Sequence, residues 1–225
     1  MNREGVRIRQ SMPVKTPSRR RRPQQQRSRL TRDAILEAFV RILEKEGHAA
    51  CTMRRVTDLA GVGLGCFYDY FPSKHDLLAA YFRDNSRALQ QTIRSHLTQW
   101  RTSENDTSAP QQRLDKLLQA LYQPYASRSL LWKKLALLEP QVTSSPHYAR
   151  DAGEFIALWV EAGQLLAPTF SMTLLADRAR TFHMAIYGSL HYRLVCFPHL
   201  QLDQGFLQEL QAIGRLLLLE PTNKE

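Results

Sequence analysis

Residues 29–81 read RLTRDAILEAFVRILEKEGHAACTMRRVTDLAGVGLGCFYDYFPSKHDLLAAY, and the spacing of their apolar and turn residues decides the fold. Ile35, Leu36, Phe39, Ile42 and Leu43 fall on one face of a helix that Thr31 or Asp33 can cap. Gly47 follows its last turn, where glycine accepts left-handed geometry most cheaply. Thr52 can then cap a second helix with Met53, Val56, Leu59 and Ala60 turned inward. The turn Gly61-Val62-Gly63 leads to a short third helix, Leu64–Tyr70, with Phe67 and Phe71 facing back to the core. Pro72 stops it, and Ser73 with Asp76 has the spacing of a capping box for a fourth helix. Two short helices at a tight glycine turn, braced by a longer one, form a helix-turn-helix, the arrangement that sets its second helix in a DNA major groove.

The charge is uneven along the chain. The 225 residues carry a net charge of +10, and all of it lies in residues 1–32, where eleven Arg or Lys face one Glu. Residues 33–225 sum to zero. The first 28 residues show no hydrophobic period, carry three prolines and hold the block Arg19, Arg20, Arg21 and Arg22. They read as a disordered basic arm suited to a polyanion. No apolar core follows the basic residues, so a secretion signal is not expected, and no run is apolar enough for a membrane span. Cys51, Cys66 and Cys196 form neither a disulfide framework nor a zinc spacing, which suits a reducing cytoplasm.

Beyond residue 81 every segment keeps a helical period. The fourth helix extends to about Trp100, long enough to bridge two domains, and the polar run 102–110 ends it. Further helices are expected at 111–125, 129–139, from Pro146 for about twenty residues, 173–196 and 203–219. The expectation is an all-α chain of nine or ten helices. It divides into the arm at 1–28, the helix-turn-helix domain at 29–81, a larger helical domain at 82–220 and a tail at 221–225.

The pattern over residues 29–82 resembles the tetracycline-repressor (TetR) family of bacterial transcription regulators. The resemblance rests on Glu46-Gly47 closing the first helix, a Thr before the second and Val-x-x-x-Ala-Gly-Val across the turn. Phe-Tyr-x-Tyr-Phe in the third helix and Ser-Lys-x-x-Leu-Leu entering the fourth complete it. It implies a repressor that leaves a palindromic double-stranded DNA operator when a small hydrophobic or aromatic effector binds. By position, Thr52 and Lys74 match phosphate contacts. Gly63, Leu64, Gly65 and Cys66 match the exposed start of the recognition helix, and Tyr68 and Tyr70 match contacts to backbone or base edges. Gly63 and Cys66 depart from the Ser or Thr common at the first position and the Thr common at the second, so this reader offers little polar readout. Arg54 and Arg55, one turn into the second helix, add cations beside it.

In the larger domain His183, Tyr187 and His191 share one helix face at four-residue spacing. With Trp100, Tyr122, Trp132, Phe155 and Trp159, His183 and Tyr187 make the candidate effector site. A homodimer seam is expected from Ala185, Gly188, Ser189, Leu190 and Leu194, together with Leu207, Leu210, Ile213 and Leu217 of the last helix. No catalytic set, metal spacing or cofactor motif is present, so neither catalysis nor a cofactor is expected. A competing expectation is a weakly selective nucleic-acid binder that works through the arm and has no effector.

Overall fold

The computed structural model describes residues 21–102 and 107–221, with the side chains of residues 21–24 left out, and everything below concerns those residues. They form nine α-helices and one short 3₁₀ turn, with no strand. In chain order the helices are α1 (Arg21–Glu46), α2 (Met53–Ala60), α3 (Leu64–Tyr70), α4 (Lys74–Thr102) and α5 (Pro110–Ser127). They continue with α6 (Ser129–Val142), α7 (Ser145–Leu166), α8 (Met172–Val195) and α9 (Gln204–Leu218).

The start of α1 departs from expectation. The sequence suggested a cap at Thr31 or Asp33, but both lie inside a helix that already runs from Arg21, the first described residue. Pro23 does not prevent this, because the first-turn N–H groups of a helix have no partner to lose. Thr31 is an interior residue whose hydroxyl donates back to the Arg27 carbonyl at 3.0 Å. Arg19 and Arg20 lie outside the described residues, and Arg21 and Arg22 open the first turn.

Leu59 also departs from expectation, being 51% exposed instead of inward. A helical period through Met53 and Val56 continues at Thr57 and Ala60, which puts Leu59 roughly a third of a turn off that face. Thr57 takes the buried place and satisfies its hydroxyl on the Arg54 carbonyl at 2.9 Å. Leu137 is likewise turned outward on α6.

Two prolines lie inside helices rather than at their ends: Pro124 in α5 and Pro140 in α6. One half of the capping box is present at α4, the Asp76 N–H donating to Ser73 Oγ at 3.1 Å, while the Asp76 carboxylate accepts from the Ser73 hydroxyl at 2.7 Å. Asp203 caps α9 by accepting from the Phe206 N–H at 2.9 Å.

Two apolar clusters hold the helices. The first joins Ile35, Phe39, Leu43, Phe67 and Phe71 of the N-terminal helices to Leu131, Leu135 and Leu138 of α6 and Leu207 of α9. The second packs Ile93 and Leu97 of α4 with Leu114, Trp159, Phe182 and Leu218. Each fully buried Leu, Ile or Phe contributes about 1.5–3 kcal/mol, and through the first cluster α6 shares that burial with the N-terminal helices. Tight approach occurs at Gly214 of α9, where an added Cβ would come within 3.0 Å of Leu118 and 3.3 Å of Phe182.

Candidate nucleic-acid interface and cavity

Helices α2 and α3 meet across Gly61, whose φ of 69° and ψ of 31° close α2 in the left-handed conformation. Thr52 caps α2, its hydroxyl accepting from the Arg55 N–H at 3.3 Å. Gly63 caps α3 with no side chain to help, and Gly63, Leu64 and Gly65 are all exposed. The start of α3 therefore stands clear of the protein as a bare ridge with Leu64 as its largest side chain. Tyr68, 48% exposed, follows one turn later, its hydroxyl donating to Met53 Sδ at 3.3 Å. Phe67 and Phe71, fully buried on the opposite side, anchor the helix.

The basic and aromatic residues around this ridge divide in ways the sequence did not show. Arg54 is exposed, whereas Arg55 is paired with Glu46 at 2.7 Å. Lys74 donates to the His48 carbonyl at 3.3 Å and so ties α4 to the loop before α2. Tyr70 donates to Ser28 Oγ at 3.1 Å, which fixes α3 to the extended start of α1. Cys66 is half-buried. Arg32 links α1 to α4 through Asp84 at 2.7 Å, and its guanidinium lies 5.7 Å from the centre of the Phe71 ring.

The larger part of the chain encloses a cavity of about 390 Å³ between α4, α5, α6, α7 and α8. Tyr122, Trp132, Phe155, Trp159, His183 and Tyr187 line it, as does His191. Trp100 does not: it sits in the second apolar cluster, eleven residues beyond Leu89, the last α4 residue on the wall. That separation is about 16 Å of helix, so the α4 residues at the cavity are instead Phe82, Arg83, Asn85, Ser86 and Leu89.

Along α8 the rings form a ladder. His183 stacks on Phe155 with centroids 5.3 Å apart and planes 15° apart. Tyr187 lies 6.3 Å further on and His191 another 5.9 Å. Burial pushes the His183 imidazole down, towards the neutral form, and its Nδ1 has no hydrogen-bond partner. The buried Trp159 indole N–H has none either.

One wall residue escaped sequence reading. Glu139 of α6 accepts from the Tyr187 hydroxyl at 3.2 Å, and burial raises its carboxyl above the ordinary carboxylate range, with Asp151 adding to the effect. Only spacing could have found it, and Glu139 reads by spacing as a polar residue at the end of a helix, next to Pro140.

The expected dimer residues also divide. Leu194, Leu207 and Leu210 are buried inside this chain, at 4%, 2% and 7% exposure, because the end of α8 and the inner stripe of α9 both pack onto the first cluster. Ala185, Gly188, Ser189, Leu190, Ile213 and Leu217 are half-buried. The large apolar residues that α8 and α9 leave open are Met172, Met184, Tyr187, Tyr192 and Leu216.

Residues 35–81 match the family described as bacterial regulatory proteins, tetR family. Over 65 residues, 28% of the chain, the sequence is 46% identical to the HTH-type transcriptional repressor KstR of Mycobacterium tuberculosis, and the match covers 30% of that relative. The chain thus matches under a third of the relative's length. A tetR-family regulator from Syntrophomonas wolfei superposes with a TM-score of 0.64 at 16% identity, covering 88% of this chain and 99% of that one. Thermus thermophilus FadR, a tetR-family repressor solved in complex with lauroyl-CoA, gives 0.55 at 20% identity over 86% and 98%. At these identities the likeness is one of fold.

Proposed function

We propose that the chain, whose residues 35–81 match the bacterial tetR family of regulatory proteins, is a DNA-binding transcriptional repressor controlled by a small effector. The observation that carries the reading is the exposed α3 ridge held against a capped α2. Leu64 and Tyr68 stand outward on buried Phe67, in the posture of a helix that enters a major groove. Leu64 packs on a thymine methyl, and the Tyr68 hydroxyl reaches a base edge or phosphate. Thr52 and Arg54 grip the backbone beside it, aided by the unpaired N–H groups at the start of α2.

The chain acts as a homodimer through the outward faces of α8 and α9, so that two copies of α3 read the two halves of a palindrome. The effector occupies the cavity, whose size and largely apolar lining suit a small organic molecule. A structure of the same fold holding lauroyl-CoA supports a ligand role for the helical domain. The few polar groups on α3 favour a second reading, DNA binding with little sequence preference.

Selection of bound duplexes from a random library decides between them, followed by affinity on the winner and on a scrambled control at several salt concentrations. The repressor reading expects an enriched palindrome bound roughly a thousandfold or more above the scrambled duplex. Equal affinities would support the second reading.

A further inference from the structure

Two acids, Glu139 and Asp151, stand on the cavity wall. Among the described residues Tyr187 is the one side chain that donates to Glu139, and no Lys, Arg or His forms an ion pair with it. Asp151 stands on the same lining and brings a second negative charge. The one guanidinium on the wall, Arg83, is exposed. The remaining surface is mainly apolar, part aliphatic and part aromatic, with Asn85, Ser86, Thr143 and His147 as further polar groups and the Phe155–His183–Tyr187 ladder as its run of near-parallel rings.

Glu139 is half-buried, and a carboxylate withdrawn from water with no cation beside it carries a desolvation cost that a ligand cation would offset. An anionic effector would add a third negative charge to this site. A neutral hydrocarbon would leave Glu139 as uncompensated as before. A ligand with a flat ring and an ammonium group answers both parts of the wall. The ring lies against the ladder, and the ammonium meets the Glu139 carboxylate, with the faces of neighbouring Tyr rings adding cation–π attraction.

We propose that the effector of this cavity is an aromatic amine, held by an ion pair to Glu139 and by stacking along Phe155, His183 and Tyr187. The proposal rests on the reading of the cavity as the effector site. The unpartnered Trp159 N–H and His183 Nδ1 leave two further positions where a polar substituent on the ring would be held.

Three probes of one shape and different charge test it: naphthylethylamine, naphthylethanol and naphthylacetate. Calorimetric titration of the full chain at neutral pH should rank the amine first by roughly tenfold or more. Glu139→Gln keeps the size of the side chain and its acceptor for Tyr187. It should weaken the amine by roughly 10- to 100-fold and leave the alcohol within a few-fold. A preference for the alcohol or the acid, binding of none of the three, or an amine affinity that Glu139→Gln leaves unchanged would overturn the assignment. The ranking on the unmodified chain decides the matter even if the variant does not fold. Operator binding is measured separately in the absence of probe. A chain that selects a palindrome but shows no amine preference loses only the ligand class, and one that selects no DNA loses the repressor reading.

Discussion

Cys51 is fully buried, with its thiol 3.8 Å from the Phe39 carbonyl and 3.5 Å from that of Gly47. Burial pushes its pKa up to about 11, so very little thiolate forms near neutrality. Native protein treated with iodoacetamide should therefore be labelled at Cys196 and Cys66, and at Cys51 only after unfolding, as peptide mass mapping would show. Cys51 labelled as fast as Cys196 would contradict the packing.

His183 gives a pH prediction of definite sign. Its folded pKa lies below that of the unfolded chain, so the unfolded state takes up the proton first as the pH falls. The stability contributed by the neutral ring is complete above about pH 6.5 and drains away below it. His48 acts in the same direction through burial and then Lys74, while the raised Glu139 acts in the opposite direction above its unfolded value. His183→Phe keeps a flat ring on Phe155 and removes one of these protons. Its melting temperature should fall less than that of the parent between about pH 6.5 and about pH 5. An unchanged slope would mean that the ring titrates in the folded state as it does in water.

Like α4, α6 runs from the cavity wall to the N-terminal helices. On one side Trp132, Ala136 and Glu139 face the cavity. On another side Lys134 donates to the Leu43 and Glu44 carbonyls at 3.1 Å and 2.6 Å, closing the last turn of α1. Arg128, just before α6, pairs with Glu44 at 2.6 Å and holds that carboxyl below its ordinary value. Near the C-terminal end of α6 the Gln141 carbonyl lies 3.1 Å from His75 Nε2 in the first turn of α4. A shift of α6 thus reaches the base of α1 and the start of α4 together, in addition to any motion along α4 itself. Lys134→Ala should destabilise the chain by about 1–2 kcal/mol and reduce the factor by which an effector weakens operator binding. The measurements are thermal unfolding and operator affinity with and without ligand; an unchanged factor would free α6 of a relay role.

The start of α1 calls for a different experiment. Removing residues 1–20 takes away six cations and Glu4 but leaves the Tyr70–Ser28 hydrogen bond, whereas removing 1–28 deletes that bond as well. For every phosphate the arm no longer neutralises, the salt slope of log affinity falls by roughly 0.9. The shorter deletion should flatten the slope equally on selected and scrambled duplexes, and the longer one should also loosen α3. A slope that neither deletion changes would leave the arm without a part in DNA binding.

At the scale of the whole molecule, the question is what covers α8 and α9. Gly188 has open space where a Cβ would stand, and Leu216 is 58% exposed, so neither is required by the packing of a single chain. In the proposed homodimer a second copy would cover both. Sedimentation equilibrium at low micromolar concentration should give about twice the chain mass of 26.0 kDa. Leu216→Glu should shift it towards the single-chain mass and weaken operator binding while leaving the melting of the monomer nearly intact. A single-chain mass for the unmodified protein would remove the dimer from the proposal.

The sequence by itself determined the N-terminal reader and the helical class. Both rest on local physics: caps at Thr52 and Ser73, glycines where the chain turns, and apolar residues at the helical period. The His183–Tyr187–His191 alignment was legible for the same reason, since it lies on one helix. Tertiary structure decided what depends on distance between elements. Glu139 acquires its meaning from Tyr187 on another helix, Trp100 lies beyond the reach of the cavity, and Leu207 and Leu210 turn onto their own core. Thr31 reads locally as a cap, yet the chain before it stays helical and Tyr70 meets Ser28 across 42 residues. Periodicity says which face of a helix is apolar, but only packing says what that face meets.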